Sequence, residues 1–262
     1  MSSRMVSAAP ATKAQYSILK MVLSWIVTPP YVFFFFSILC FFHVLQVVAA
    51  LFSRKLQKAA LDLMNVAIVW NIRLVTGATY KVIGSPFLPA DRSILLVSNH
   101  QSMYDIPMLM WECRSRNVGF IAKKELGKGI PSISYALRTL GSALIDRADP
   151  QGSVATIREF GAQKDSERQV AAIFPEGTRA RDGVMKRFKT TGFRTLLAAM
   201  PHVVIQPVVI RGNWELLRNG FLPLVYGTHI EVEFLPPIEP RGLSPDDVLQ
   251  LVEGAIRTEL GQ

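Results

Sequence analysis

A long run without charged side chains constrains the fold of this chain more than any other feature of its sequence. The run covers residues 31–52, includes the consecutive phenylalanines 33–36, and has His43 and Gln46 as its most polar members. About 20 consecutive apolar residues suffice for a helix to cross the hydrocarbon core of a bilayer. A buried core helix is the alternative, but a domain of this size rarely encloses so continuous an aromatic run. The segment is therefore predicted to be a membrane anchor.

The anchor is predicted to extend over residues 16–53, because residues 18–27 are also largely apolar. Pro29 and Pro30 separate the two apolar stretches, and a proline inside a helix removes a backbone hydrogen bond. A break at this pair is expected, and two arrangements fit it. One is a hairpin of two helices buried in one leaflet, and the other is one or two true spans. Basic residues at positions 54, 55 and 58 favour a cytoplasmic location for the chain that follows.

The chain beyond the anchor is predicted to be a single α/β domain. Residues 56–76 have apolar side chains at helical spacing, which predicts an amphipathic helix packed either on the domain or on the lipid surface. Apolar runs and helical patterns then alternate, as in α/β proteins. The predicted strands cover residues 79–83, 93–97, 118–122, 143–147, 169–174, 203–210 and 229–234, and the predicted helices cover 131–140, 153–164, 190–200 and 244–260. The chain thus divides into a polar tail at 1–15, an anchor at 16–53 and a domain at 54–262.

Residues 98–105 place polar side chains between a predicted strand and a predicted helix. His100 follows the strand, and Asp105 lies near the start of the helix. Residues five apart on one continuous helix diverge by about 140°, so these side chains meet only if His100 is in the turn and Asp105 in the first helical turns. The carboxylate can then hold one imidazole nitrogen while the other faces a substrate hydroxyl. The alternative is a helix cap by Asn99 or Ser102, with His100 as a polar loop residue.

The tetrapeptide Glu176-Gly177-Thr178-Arg179 is the second candidate site and follows another predicted strand. Glycine permits a close backbone approach or a positive φ angle, and a guanidinium group matches phosphate with two parallel hydrogen bonds. The glutamate can orient the arginine or accept a hydrogen bond from a glycerol hydroxyl. A surface turn with a salt bridge is the alternative. Because the turn follows a strand in a chain that also has the histidine motif, a ligand site is favoured.

Together these motifs resemble those of the glycerolipid acyltransferases. The resemblance rests on four ordered blocks: Asn99-His100 with Asp105, residues 122–126 with Pro131, residues 174–179, and residues 205–209. It covers roughly residues 77–235. It implies an α/β fold with a mixed, largely parallel central sheet flanked by helices. The anchor before it is predicted from its own sequence to form an N-terminal membrane-embedded helical hairpin. Ala180 stands where relatives often have serine, a mild departure from the pattern.

The resemblance also implies an activity: transfer of a fatty acyl group from an acyl thioester to the sn-2 hydroxyl of lysophosphatidic acid, which gives phosphatidic acid. His100 is implied to be the general base and Asp105 its orienting partner. The implied phosphate-binding residues are Glu176, Gly177, Thr178, Arg179, Lys123, Lys124 and Arg147, with no choice made between the two lysines. No metal or cofactor is expected, an apolar tunnel is expected for the acyl chain, and acyl carrier protein or coenzyme A carries that chain. The absence of a Gly-x-Ser-x-Gly motif is consistent with direct transfer.

Two other functions fit the same motifs. The acceptor can be another lysolipid, such as a lyso-ornithine lipid, with the chemistry unchanged. A membrane-bound lipid-binding protein without turnover belongs to another class, and the intact candidate residues His100, Asp105, Glu176 and Arg179 count against it. The expected location is a bacterial-type inner (cytoplasmic) membrane, with the catalytic domain on the cytoplasmic face.

The composition favours anionic partners. The formal net charge is +9, from 29 lysines and arginines against 20 acidic residues. Residues 181, 186, 187 and 189 add basic side chains that either contact phosphate or headgroups or are solvated charges. No nucleic-acid-binding signature is present, so a membrane surface or a phosphorylated substrate is favoured over nucleic acid. Cys40 and Cys113 are isolated, so neither a disulfide framework nor a metal site is predicted, and a reducing cytosol is expected.

Overall fold

The computed structural model describes residues 17–262, so the predicted tail at 1–15 lies outside the described residues. Within that range the strands are β1 (Thr79–Ile83), β2 (Ser93–Ser98), β3 (Val118–Lys123), β4 (Ala143–Ile145), β5 (Val170–Ile173), β6 (Val203–Arg211) and β7 (His229–Phe234). The helices are α1 (Ile18–Phe52), α2 (Arg54–Thr76), α3 (Asp105–Glu112), α4 (Ile133–Thr139), α5 (Pro150–Ser166), α6 (Thr190–Ala199), α7 (Asn213–Leu216) and α8 (Pro245–Leu260).

The strands form one sheet in the order β1-β7-β6-β2-β5-β3-β4. Neighbouring strands are parallel except β6 and β7, which are antiparallel. The predicted mixed, largely parallel sheet is therefore confirmed. Because β2, β3, β5 and β6 run in the same direction, the segments that follow them emerge at one edge of the sheet, where open α/β sheets bind ligands.

Helices cover both faces of the sheet. In β2, Ile94 and Leu96 face the cluster that includes α1, α2, α3 and α4, whereas Leu95 and Val97 face the cluster that includes α5, α6 and α8. All four side chains are fully buried. A parallel strand covered on both faces has a continuous apolar sequence rather than an alternating one, which explains the run before residue 98.

The predicted helix break at Pro29 and Pro30 is wrong. Helix α1 continues through both prolines to Phe52. The chain reverses at Ser53 instead, where the hydroxyl accepts a hydrogen bond from the Leu56 N–H at 3.1 Å and caps α2. The hairpin predicted around the prolines within residues 16–53 is therefore not formed. A different hairpin is present, which consists of α1 and α2 and turns more than twenty residues beyond the prolines.

Tertiary packing explains why α1 tolerates its prolines. Directly before them, the hydroxyl of Thr28 accepts a hydrogen bond from the backbone N–H of Leu224 at 2.9 Å. The hydroxyl of Ser24 accepts one from the N–H of Tyr226 at 3.0 Å. Both hydroxyls also donate to carbonyl oxygens one turn earlier in the helix. These contacts hold the helix against the α/β domain on the proline-containing turns, which local propensity alone does not anticipate.

Both hairpin helices are long and apolar enough to cross a membrane by length and composition, with mean hydropathies over an 18-residue window of 2.4 in α1 and 1.3 in α2. Helix α2 both packs on the domain and presents apolar surface, which the sequence left as alternatives. Its inner face packs into the core through Leu61, Met64 and Ile68. Its outer face exposes an apolar stripe composed of Leu56, Leu63, Trp70 and Leu74. The hairpin therefore joins the domain on one side and presents apolar surface on the other.

Candidate active site

The candidate active site is built around His100 and Asp105. Strand β2 ends at Ser98 and α3 begins at Asp105, so the histidine lies in the connecting turn as the spacing predicts. Nδ1 of His100 and Oδ2 of Asp105 are 2.7 Å apart. The carboxylate is fully buried, and the imidazole remains 16% exposed. The pair therefore has the geometry of an oriented base, with the other ring nitrogen, Nε2, free of the carboxylate.

The Asp105 carboxylate is held by four hydrogen bonds. Its Oδ2 accepts from His100 and also from the backbone N–H groups of Gln101 at 2.7 Å and Ser102 at 2.9 Å. Its Oδ1 accepts from Nδ2 of Asn213 at 2.5 Å. Hydrogen bonds to a charged acceptor are short and directional, so the orientation of the carboxylate, and with it that of the imidazole, is well defined.

Asn99 ties the same turn to the neighbouring strand β6. Its Nδ2 donates to the Ile210 carbonyl and its Oδ1 accepts from the Ile210 N–H, both at 2.8 Å. The Ser102 hydroxyl accepts from the Tyr104 N–H at 3.3 Å. Asn99 is thus a clamp between two strands rather than the helix cap that the alternative interpretation assigned to it.

The turn at residues 176–179 packs directly against the histidine turn. Oε1 of Glu176 accepts from the backbone N–H of His100 at 2.8 Å, and Oε2 accepts from that of Lys186 at 2.9 Å. The Ala180 N–H donates to the His100 carbonyl at 2.7 Å. Burial raises the pKa of Glu176, and these backbone donors partly offset the rise. The structure thus brings the two predicted sites together.

Glu176 is placed differently from its expected role. Only 1% of the residue is exposed, and both carboxylate oxygens are engaged by the protein's own backbone. A role in orienting Arg179 or binding the substrate does not follow from this geometry. The sequence suggested that Glu176 contacts Arg179 or a ligand. Its partners are instead backbone N–H groups of two other turns, which a local sequence pattern does not reveal.

Basic side chains surround the Gly177 turn. Gly177 has a φ of +67°, and Nζ of Lys189 lies 3.1 Å from the position that a Cβ at this glycine would occupy. The guanidinium of Arg147 donates to the Gly177 carbonyl at 2.6 Å. Nζ of Lys186 donates to the Arg179 carbonyl at 3.1 Å. Thr178 and the three cations Arg147, Lys186 and Lys189 are exposed, and Arg179 is partly exposed.

The two candidate lysines at the end of β3 differ in their surroundings. Lys124 forms an ion pair with Asp146, which raises the pKa of the lysine and lowers the pKa of the aspartate. Lys123 is the last residue of the strand and is exposed. Lys124 would have to break its ion pair with Asp146 before it could bind a phosphate group. Lys123 is not part of that ion pair.

An apolar cavity lies next to the imidazole. The Phe174 ring stacks on His100 with a centroid distance of 4.0 Å, and on Phe120 with a distance of 5.9 Å. Phe120 belongs to the cavity wall, which α2, α3, α4 and β3 share; other wall residues are Leu61, Met64, Ile68, Met110 and Leu140. Pockets with predominantly apolar walls bind apolar ligands, so the cavity suits a hydrocarbon chain.

Two observations complete the description of the site. Among residues 17–262, no group of three or more His, Cys, Asp and Glu side chains is placed to hold a metal ion. The contact between Asn213 and Asp105 was missed by sequence reasoning. The two residues are 108 positions apart, and only the adjacency of β2 and β6 in the sheet could have pointed to it.

The fold and site together define a class: α/β proteins with a histidine–aspartate pair, a basic turn and an apolar cavity at the carboxyl ends of parallel strands. Residues 79–211 match the sequence model of the family described as Acyltransferase, which is about half of the chain. The chain belongs to this acyltransferase family.

Two relatives illustrate the similarity. The 1-acyl-sn-glycerol-3-phosphate acyltransferase of Helicobacter pylori is 37% identical over 171 residues, which are 65% of this chain and 69% of that protein. The human protein of the same name, alpha form, is 31% identical over 183 residues, or 70% of this chain. The chain spans 63% of the length of that human relative.

The crystal structure of the 1-acyl-sn-glycerophosphate (LPA) acyltransferase PlsC from Thermotoga maritima has a TM-score of 0.76 to this chain at 24% identity. The match covers 92% of this chain and 96% of that one. At this level of identity the match establishes the fold, including the parts outside the family motifs.

Proposed function

We propose that this protein transfers a fatty acyl group from an acyl thioester to the sn-2 hydroxyl of lysophosphatidic acid, giving phosphatidic acid. The observation that carries the proposal is the direct contact between the His100 turn and the basic turn at residues 176–179, beside an apolar cavity. A base, a group of cations and a hydrocarbon site converge there. The names of the relatives described above support the same acceptor.

The proposed chemistry uses His100 as a general base. Nε2 takes the proton of the acceptor hydroxyl while the hydroxyl oxygen attacks the thioester carbonyl, and the tetrahedral oxyanion then collapses and expels the thiolate. The imidazolium returns its proton to that thiolate, so the enzyme ends the cycle unchanged. The Asp105 carboxylate, 2.7 Å from Nδ1, holds the ring in the orientation this requires and stabilises the imidazolium.

The phosphate of the acceptor is proposed to bind at the Gly177 turn. Arg179 supplies a guanidinium group suited to phosphate, and Arg147 and Lys189 add positive charge beside the turn. Lys123, at the end of β3, is proposed as a further cation because it is not part of the Lys124–Asp146 ion pair. Glu176 is assigned a different part: its buried carboxylate holds the His100 turn and the Lys186 segment at a fixed separation. The distance between general base and phosphate site is therefore set by backbone hydrogen bonds rather than by flexible side chains.

The hairpin of α1 and α2 is proposed to lie in one membrane leaflet. Helix α1 contacts the domain from Ser24, which bonds to Tyr226, to Gln46, whose side chain donates to Ser132. That stretch is about 33 Å long at 1.5 Å per residue, comparable to the whole hydrocarbon core. A helix that crossed the bilayer while touching the domain over such a length would draw the domain into the membrane. The protein should therefore stay with membranes in high salt and be released by detergent.

Orientation and donor complete the proposal. The domain is placed on the cytoplasmic face of a bacterial-type inner membrane, where thioester donors are made. The donor is an acyl group on acyl carrier protein or on coenzyme A. The net charge of +9 suits both, because one is an acidic protein and the other carries phosphates.

The test is a thioester-release assay on detergent-solubilised protein with a panel of acceptors. Lysophosphatidic acid is expected to give the fastest release, with phosphatidic acid as the product identified by mass. Faster release with a lyso-ornithine lipid would keep the chemistry and replace the acceptor. No release with any lysolipid from folded protein would favour a lipid-binding protein without turnover.

A further inference from the structure

We propose that Asn213 is a positioning residue for the His100–Asp105 pair. This inference rests on the proposed function and adds a residue that lies outside the family motifs described above. Asn213 is fully buried, and its Nδ2 donates to Oδ1 of Asp105 at 2.5 Å. It therefore acts on the reaction through Asp105, two side chains away from the substrate hydroxyl.

The distribution of hydrogen bonds on the Asp105 carboxylate shows what Asn213 contributes. Oδ2 faces the histidine turn and accepts from Nδ1 of His100 and from two backbone N–H groups. Within residues 17–262, Oδ1 accepts only from Asn213. The amide thus holds the second carboxylate oxygen and prevents rotation about the bond to the carboxyl carbon, which would carry Oδ2 away from the imidazole.

The backbone conformation before Asn213 places its side chain beside Asp105. Gly212 has a φ of +75°, and a Cβ at this position would lie 1.9 Å from the carbonyl oxygen of His229. Only glycine turns the chain this closely past the neighbouring strand β7. The preceding residues of β6 are fixed by the two hydrogen bonds between Asn99 and Ile210. Both oxygens of the Asp105 carboxylate are therefore held by residues that the β2–β6 strand pair positions.

The other amide atom of Asn213 argues against a purely structural role. Its Oδ1 is buried and has no hydrogen-bond partner among the described residues. A buried acceptor without a partner costs free energy, and a leucine of similar volume would avoid that cost. The amide is therefore explained by the hydrogen bond that its Nδ2 donates and not by packing.

The experiment compares three variants of the full-length protein in detergent. Asn213→Leu removes the donor and keeps the approximate volume. Asn213→Asp keeps the shape; repulsion between two carboxylates this close favours a shared proton, so the new side chain can still donate while that proton is bound. Asn219→Leu is the matched control, because Asn219 is exposed and bonds only to the nearby Pro223 carbonyl at 3.4 Å among the interactions of residues 17–262.

We expect Asn213→Leu to lower kcat roughly 10- to 100-fold, as for loss of a hydrogen bond to a charged group, with KM for both substrates changed less than about twofold. Asn213→Asp should recover part of that loss at pH 6 and less at pH 8, where the shared proton leaves. Asn219→Leu should behave as wild type. Thermal unfolding shows whether a loss of kcat in Asn213→Leu comes from misfolding. If it does, the kcat of Asn213→Asp at the two pH values tests the inference instead.

Two results would overturn the inference. One is a wild-type kcat in folded Asn213→Leu, and the other is an equal loss in the Leu and Asp variants at both pH values. A parallel His100→Ala measurement separates this failure from failure of the proposed function. If His100→Ala is inactive and Asn213→Leu is fully active, only the role of Asn213 is refuted; if His100→Ala is fully active, the proposed mechanism itself is refuted.

Discussion

Residues 17–262 contain two histidine–aspartate pairs with nearly the same contact distance. Nδ1 of His100 lies 2.7 Å from Oδ2 of Asp105, and Nδ1 of His202 lies 2.8 Å from Oδ2 of Asp165. The first pair follows the carboxyl end of β2. The second precedes the amino end of β6, at the opposite edge of the same sheet. The His202 side chain is 54% exposed, against 16% for His100.

The surroundings of the two pairs differ more than the pairs themselves. The first is flanked by the basic Gly177 turn and the apolar cavity. In the second, Oδ1 of Asp165 accepts hydrogen bonds from the Ser93 hydroxyl and the His202 N–H, so the carboxylate joins the end of α5 to the starts of β2 and β6. An oriented imidazole therefore does not define a catalytic site by itself. The proposed role of His100 also depends on its position at the carboxyl edge of the sheet.

The largest expected contrast is between Asp105→Asn and Asp165→Asn. We expect the first to lower turnover about a hundredfold or more, because an amide cannot hold the imidazole as an anionic acceptor does. The second should leave turnover within about twofold of wild type, since its histidine lies at the opposite edge of the sheet from the proposed active site. Initial rates of thioester release with lysophosphatidic acid measure both. Similar losses in the two variants would mean that the contacts are structural at both edges.

A smaller effect should separate the phosphate site from an ordinary surface ion pair. Arg179→Ala should raise KM for lysophosphatidic acid roughly ten- to a hundredfold, the cost of a charge-assisted hydrogen bond, and change KM for the acyl donor much less. Arg194→Ala removes an exposed arginine bound to Asp246 and serves as the control. Equal changes in both Michaelis constants for Arg179→Ala would identify Arg179 as structural.

At the amino edge the expected effect is on stability. Asp165→Ala leaves the buried Ser93 hydroxyl and the His202 N–H without their acceptor. The free energy of unfolding should fall by about 2 kcal/mol, and the thermal midpoint by roughly 4–8 °C for a domain of this size. Thermal unfolding in detergent provides the measurement. An unchanged midpoint with lost turnover would reverse the roles given to the two edges.

The smallest effect concerns Lys164, the neighbour of Asp165. The residue is 1% exposed, and burial lowers its pKa to about 8 from an ordinary value of 10.5. Above pH 8 the folded protein has lost this proton while the unfolded chain still binds it, so stability rises with pH in this window. The gain between pH 7 and 9 should be about 1 kcal/mol.

Lys164→Met is the matched variant for this pH dependence. It should be more stable than wild type at pH 7, because no charge is buried, and its stability should lack the component that rises between pH 7 and 9. Thermal midpoints of both proteins across that range give the comparison. A parallel rise in both proteins would assign the pH dependence to other groups.

The parts of the fold that depend on local patterns could be predicted from the sequence. Strands β1 and β7 have the bounds that their alternating residues indicate. The helix predicted over residues 244–260 is α8 (Pro245–Leu260), and Ser244 caps it by accepting from the Asp247 N–H at 3.2 Å. The contact between His100 and Asp105 also follows from spacing, because both residues belong to one turn and the helix after it.

What the sequence did not predict depends on neighbours that are distant along the chain. The continuity of α1 through Pro29 and Pro30 relies on hydrogen bonds from residues 224 and 226. The backbone donors to Glu176 come from two separate segments, and Asn213 contacts Asp105 from just beyond the carboxyl end of the adjacent strand β6. Strand order had to be known before any of these contacts could be expected.

The most direct test of the central claim is turnover in His100→Ala and His202→Ala, purified side by side and checked for folding. Each variant removes one imidazole from an equivalent contact with an aspartate. The account predicts that thioester release with lysophosphatidic acid falls about a hundredfold or more in His100→Ala and remains near wild type in His202→Ala. Near-normal release by folded His100→Ala would contradict the assignment of the carboxyl edge as the active site.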